Sequence, residues 1–414
     1  MMAKRILRVP RLRSQVRGEE TRHATWLELF FDLIFVVAVA QLSSRLAHGI
    51  RFTGLASFVA LFLPVWWSWI GTTFYATRFV AADDLIYRLL AVIEMGGVAA
   101  LAINVRDGFG ATATGFALSY AVVRVVLVIQ YLRAGWAIPE ARPLTNHFAR
   151  GFGLAAAIWG VSVFVPGLAH IILCGIGLAV DIGTPLFAGR LQTNILPDDS
   201  HLPERFGQFT LIVLGEGAAA VVLGIGQQTL THSAAISAIC ALIIAFCLAW
   251  LYFENLDGSA IQAARAEGHI VTYQVWLYVH FPLVVALTAM ASGVQYVVTN
   301  RPGAALPDSA RWLLCGALAL CLATIGAIHW TSAAPAQRAL DRARTRLRIV
   351  ASILILIFAF ASGHLSPVLI MGFLATICTA QVLIDLRNDG EIAAHGEVEP
   401  SHEGVEPDGG RDPV

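Results

Sequence analysis

The run Thr25-Trp26-Leu27-Glu28-Leu29-Phe30-Phe31-Asp32-Leu33-Ile34-Phe35-Val36-Val37-Ala38-Val39-Ala40-Gln41-Leu42 decides the fold. Crossing roughly 30 Å of hydrocarbon takes about 20 apolar residues in a helix, and only two acids interrupt this stretch. Glu28 and Asp32 stand four residues apart, so on a helix both occupy one face. At about 1.5 Å per residue, Asp32 lies roughly 9 Å inside the start of such a span. A charge at the bilayer centre costs about 2.5–3.5 kcal/mol on insertion scales, so acids placed there turn inward and serve a purpose.

The same pattern recurs along the whole chain. A window of about 19 residues finds twelve apolar stretches, at 26–47, 54–75, 85–105, 113–132, 147–165, 168–188, 205–224, 233–253, 275–298, 311–331, 347–362 and 367–386. Turn chemistry separates them, as in Val165-Pro166-Gly167 and Asn300-Arg301-Pro302-Gly303. Apolar residues make up 57% of the 414 and charged ones 14%, against about 25% charged in ordinary soluble domains. With 28 basic and 28 acidic residues the net charge is zero, which excludes a nucleic-acid binder working by bulk basicity. The expected fold is all-α, a polytopic helical membrane protein of about twelve transmembrane helices.

Arginine placement supplies the orientation. If the N-terminus is cytoplasmic, only Arg45, Arg51, Arg106, Arg301 and Arg311 fall on outside segments, Arg124 lies within a span, and the other 22 of the 28 basic residues face the cytoplasm. Both termini are then inside. Residues 1–25 form a basic arm, 26–386 the helical domain, and 387–414 an acidic tail expected to be disordered. The arm is Arg-rich like a transit peptide, and Ala38-Val39-Ala40 resembles a signal-peptidase site. The length of the first stretch and its two acids argue for an uncleaved span.

A faint repeat links Phe31-Asp32-Leu33-Ile34-Phe35-Val36 with Phe209-Thr210-Leu211-Ile212-Val213-Leu214. The second and eighth stretches both end in aromatics, Trp66-Trp67-Ser68-Trp69 and Trp250-Leu251-Tyr252-Phe253. This suggests two six-helix halves in parallel, 26–188 and 205–386, a plan many transporters use.

Further polar residues interrupt the spans: Glu94 in the third, Arg124 in the fourth, Asp181 ahead of Gly183-Thr184-Pro185 in the sixth, Glu216 in the seventh and His280 in the ninth. Removing a carboxylate from water favours its neutral form, which suits a proton relay or a cation-coupled site. Asp32 and Glu216 are the leading candidates for binding or coupling, followed by Glu94, Asp181 and Glu28. Arg124, with Glu94 or Glu216 at similar depth, reads as a structural ion pair; Arg88 and His280 read as supports. Trp66, Trp67 and Trp69 read as interfacial anchors. The six cysteines lie in apolar stretches without CxxC spacing and read as packing residues. No HExxH-type spacing or phosphate loop is present, so no metal, cofactor or catalytic residue is assigned.

Four segments together resemble the bacterial low temperature requirement A family. They are the opening run; Trp69 through Arg78-Phe79 with Asp83-Asp84; Glu204-Arg205-Phe206-Gly207-Gln208-Phe209-Thr210-Leu211-Ile212-Val213-Leu214-Gly215-Glu216; and Trp250-Leu251-Tyr252-Phe253. The family often places an acid directly after the Arg-Phe of the second segment, where this chain has Val80-Ala81-Ala82. The resemblance implies a multi-pass protein of the bacterial cytoplasmic membrane and draws Gln208 and Thr210 into the candidate supports. It implies no substrate or reaction. The function expected from the residues is a proton- or cation-coupled permease for a small solute or ion, with a polar site between helices one, three, six and seven and with membrane lipids as its surroundings. The alternatives are an intramembrane lipid-modifying enzyme, or a sensor or scaffold of membrane state.

Overall fold

The structure is a computed structural model, which describes residues 9–13, 25–80, 84–226, 231–254, 256, 259, 261–262, 270–299, 305–332 and 338–396. Twelve long helices run through these residues. They are α1 Trp26–His48, α2 Phe52–Ala76, α3 Leu85–Asn104, α4 Ala113–Ala137, α5 Arg142–Ser162, α6 Leu168–Leu186, α7 His201–Gly226, α8 His232–Phe253, α9 Ile270–Thr299, α10 Asp308–Ser332, α11 Arg338–Ala361 and α12 Pro367–Gly396. Each covers one of the twelve expected stretches.

Ten of these helices are long and apolar enough to cross a membrane by themselves. The exceptions are α5 and α11, and the reason is local. Helix α5 opens with Arg142, His147 and Arg150, while α11 carries Arg342, Arg344, Arg346 and Arg348 before its apolar half begins. Helix α12 continues to Gly396, beyond the expected end at 386. Most of the expected disordered tail, residues 397–414, lies outside the described residues, as does most of the basic arm.

The helices are turned so that the acids face inward. On α1, Glu28, Phe31, Asp32, Phe35, Val39 and Leu42 are buried while Phe30, Leu33 and Val37 are exposed. The outer faces of α3, α8 and α11 are likewise apolar, through Leu89, Val92 and Ile93, through Ile239, Leu242 and Phe246, and through Ile353, Ile357 and Phe360. Such a surface suits a lipid environment, in which the unpaired polar backbone is confined to helix ends.

At the end of the bundle where α1 begins, a short antiparallel ribbon pairs β1 (Arg11–Leu12) with β2 (Phe79–Val80). Helix α1 starts with a capping box: Thr25 accepts from the Glu28 backbone, and Glu28 reaches back to the Thr25 backbone N–H over 2.7 Å. Pro64 interrupts the hydrogen-bond ladder of α2. The half of α2 that follows it, Val65 to Ala76, is buried throughout.

Candidate functional site

Helix α2 passes between two clusters of buried charge. The first joins α1, α2 and α7. Oδ1 of Asp32 accepts from the indole Nε1 of Trp69 at 2.8 Å and from Nη2 of Arg205 at 2.7 Å. None of the three side chains is more than marginally exposed. One turn nearer the end of the bundle, Glu28 Oε1 lies 3.3 Å from Nε2 of His201 and 3.9 Å from Arg13. Arg13 in turn donates to the Ala76 carbonyl through Nε and Nη2, so the chain before α1 is strapped to the end of α2. Burial, with a smaller push from Arg205, lowers the pKa of Arg13, and the opposing pull of Glu28 does not fully offset it.

The second cluster lies deeper, among α2, α3, α4 and α6. Glu94 accepts from the Thr72 hydroxyl and from Nε2 of Gln130, the latter at 3.2 Å. Both partners are neutral. Close by, Nε of Arg124 stands 2.5 Å from Oδ2 of Asp181, and Tyr120 donates its hydroxyl to the same carboxylate. The Tyr120 oxygen accepts from Nη2 of Arg124 at 2.9 Å. The guanidinium rests over the Tyr120 ring, 4.8 Å from its centroid. It fits there because position 71 is glycine: a Cβ on Gly71 would stand 2.7 Å from Nη1 of Arg124. Trp67 lies beside Asp181.

Thus one buried segment of α2 carries Trp67, Trp69 and Thr72, which meet Asp181, Asp32 and Glu94 respectively. This corrects the reading of the tryptophans as interfacial anchors. Trp66, Trp67 and Trp69 are all buried; the indoles of Trp67 and Trp69 stack on Tyr278 and Phe209, and that of Trp66 packs at a tilt on Phe281. Arg124 is paired, but with Asp181 rather than with Glu94 or Glu216.

Other expected site residues fall elsewhere. Glu216 is half-buried on α7, eleven residues beyond Arg205 and so roughly 16 Å further along the axis. It makes no hydrogen bond or ion pair among the described residues. The contribution of α7 to the charged cluster is Arg205. Arg88 is exposed on α3. Gln208 is half-buried and donates to Glu204 at 3.2 Å. Thr210 is buried and faces the Tyr252 hydroxyl. His280 bonds the Trp276 carbonyl through Nδ1 at 2.7 Å, and its ring packs on Phe206 and Trp276. It stitches α9 to α7 and touches neither charged cluster. No group of three or more metal-ligating side chains occurs among the described residues.

The profile of the bacterial low temperature requirement A proteins matches residues 23–384, which takes in Glu28, Asp32, Glu94 and Asp181 and the helices that position them. The chain belongs to that family. It is also 27% identical over 299 residues to the uncharacterized protein RA0937 of Rhizobium meliloti (strain 1021), a match covering 67% of this chain and 70% of that one. In this family member, then, the motif around Glu28 and Asp32 and the motif around Arg205 meet in space as one ion-paired junction. His201, Thr72, Gln130 and Tyr120 complete the two clusters and were not singled out from sequence, and Trp69 was singled out only as an anchor. Only the Trp-Ser-Trp spacing hinted at them, since it sets Trp67 and Trp69 on different faces of one helix.

Proposed function

We propose that this chain is a secondary transporter coupled to protons or to a small cation. In this reading all twelve helices cross the bacterial cytoplasmic membrane, both termini are cytoplasmic, and the solute is a small molecule or ion. The observation that carries the proposal is the position of α2, on which Trp69 and Thr72, one turn apart, hold Asp32 and Glu94 respectively. A displacement of the segment after Pro64 would change the partners of both carboxyls together, which is the linkage a coupled carrier requires. Asp32 and Asp181 are each matched by an arginine, so their charge is already compensated. Glu94 is held only by neutral donors within hydrogen-bond distance, so gaining a proton or a cation there changes the local charge. Buried carboxyls of this kind mark ion pathways in membrane proteins.

The parallel-halves plan gains support from a second relationship. The first helix of each expected half, α1 and α7, presents its motif residue to an aromatic of the following helix: Asp32 to Trp69, and Thr210 to Tyr252. The test is flux in liposomes loaded with a pH-sensitive dye, driven in turn by proton, sodium and potassium gradients. Flux in the wild type that E94Q and D32N abolish supports the proposal. Flux that survives both substitutions in folded protein refutes it.

A further inference from the structure

Asp32, Glu94 and Asp181 are all buried beside α2, but their hydrogen-bond partners differ in kind. Asp32 accepts from Trp69 and Arg205, and Asp181 from Arg124 and Tyr120. Indole and guanidinium nitrogens only donate, so a proton added to Asp32 meets no acceptor in either partner. Tyr120 can accept, but its oxygen already takes N–H groups of Arg124.

Glu94 is fully buried, and its partners serve it in either state. The Thr72 hydroxyl has one hydrogen and two acceptors in reach: the Glu94 carboxylate, and the Ser68 carbonyl at 3.3 Å, one turn earlier on α2. When Glu94 is ionised, the hydroxyl donates to Oε1. When Oε1 carries a proton, that proton is donated to Thr72 Oγ1 and the hydroxyl hydrogen turns to the Ser68 carbonyl. Gln130 donates through Nε2 to Oε2 at 3.2 Å in both states. One hydrogen rotates, and no heavy atom has to move.

The surroundings leave one charge uncancelled. Arg124 on α4 lies within electrostatic reach of Glu94, but it is matched by Asp181 on α6. Tyr87, on α3 itself, also feels the carboxylate. Helix α1 packs on α3 yet turns Asp32 to Arg205 and Glu28 to His201. The α2 partner, Thr72, is neutral. Ionised Glu94 is therefore a single surplus negative charge, which one proton cancels. A metal cation fits less well. Hard cations gather about six oxygens, whereas Glu94 meets one hydroxyl oxygen and an amide that points its N–H at the carboxylate. Such an ion would need the Gln130 amide turned round and the hydroxyl withdrawn.

We infer that the species exchanged at Glu94 is a proton, one per chain, and that the Thr72 hydroxyl, turning between Glu94 and Ser68, is the positioning group that lets it bind and leave. The inference rests on the reading of the chain as a coupled carrier and narrows its coupling species to the proton.

The test is a difference titration. The full chain in uncharged detergent, without added buffer, is titrated in N-methylglucamine, sodium or potassium chloride while circular dichroism follows its fold. Wild type should bind one proton more per chain than E94Q, with the same midpoint in all three salts. T72V should shift that midpoint about fivefold in proton activity, the difference between hydrogen bonds to a charged and to a neutral group. T72S, which keeps the hydroxyl, should not shift it; if T72V does not fold, T72A takes its place. A midpoint that moves in sodium or potassium would overturn the inference in favour of a competing cation and leave the carrier reading standing. Identical titrations of wild type and E94Q would overturn it outright, and an unshifted T72V would overturn the role of Thr72. An E94Q-sensitive proton in a protein whose liposome flux survives E94Q and D32N would uphold the proton assignment and fail the carrier reading.

Discussion

Trp69 donates its indole N–H to Asp32 across the α1–α2 interface over 2.8 Å, and the oxygen that receives it is the one Arg205 holds from α7. Three helices are therefore tied at one atom. Removing one partner of a buried ion pair leaves a charge uncompensated, at a cost of about 3–5 kcal/mol. D32N and R205Q should each destabilise the protein by about that amount, and the double substitution should cost clearly less than their sum. W69F should cost about 1.5–3 kcal/mol, the worth of a hydrogen bond to a charged group. Unfolding in detergent, read as a double-mutant cycle, checks all three values.

A second buried pair makes the opposite prediction for function. On α11 and α12, Arg348 donates to Gln381 at 2.6 Å and pairs with Asp385, with no contact to α2. D385N should lower stability as D32N does, yet the folded fraction should retain full flux. Replacing the pair together, as R348M with D385L, should recover most of the stability. Thermal unfolding and liposome flux on the same preparations separate the two effects.

The α5–α6 interface depends on a missing side chain. A Cβ on Gly151 would fall 2.8 Å from Cβ of Thr184 and closer still to its hydroxyl, three residues from Asp181. G151A should therefore force the helices apart and cost about 1–3 kcal/mol, as overpacking does. T184G should rescue it. The measurement is the melting temperature of the single and double variants.

Acid should loosen the loop before α7. Burial raises the pKa of Asp198, but the Ser200 hydroxyl, the backbone N–H groups of His201 and Ser200, and Arg13 outweigh it, so the net shift is downward. A carboxyl depressed on folding contributes stability above its unfolded value, about 3.9, and that contribution is lost as pH falls through the lower folded value. The hydrogen-exchange protection factors at Ser200 and His201 should fall in that acidic window. In D198N protection should be low and nearly independent of pH there.

The helical plan was legible because lipid imposes it. Any stretch that must satisfy its backbone internally reads as a long apolar run, and twelve such runs became twelve helices. Only α5 and α11, whose first turns are basic, are not apolar enough to count as spans by themselves. The buried carboxyls were legible as anomalies, since Asp32, Glu94 and Asp181 break apolar runs. Their partners were not. Arg205 lies 173 positions from Asp32, and Arg124 lies 57 from Asp181. Depth along a span gave Arg124 several equally placed acids, and only the lateral order of the helices selects among them. Glu216 broke its run as sharply as Asp32 did, but it stands about three turns beyond Arg205 along α7 and is half-buried there without a hydrogen bond or ion pair among the described residues. Trp69 was misread because interfacial and interior tryptophans look alike until the neighbouring helices are in place.

The central claim is that Glu94 exchanges a proton or cation while α2, which also holds Asp32 through Trp69, holds it through Thr72. Difference infrared spectroscopy of the reconstituted protein, recorded between two pH values and with and without sodium or potassium, reads that exchange at the carboxyl itself. The account predicts a carboxyl band that changes with pH or cation, disappears in E94Q, shifts when Thr72 becomes valine, and persists in D385N. A spectrum that is identical in wild type and E94Q would contradict it.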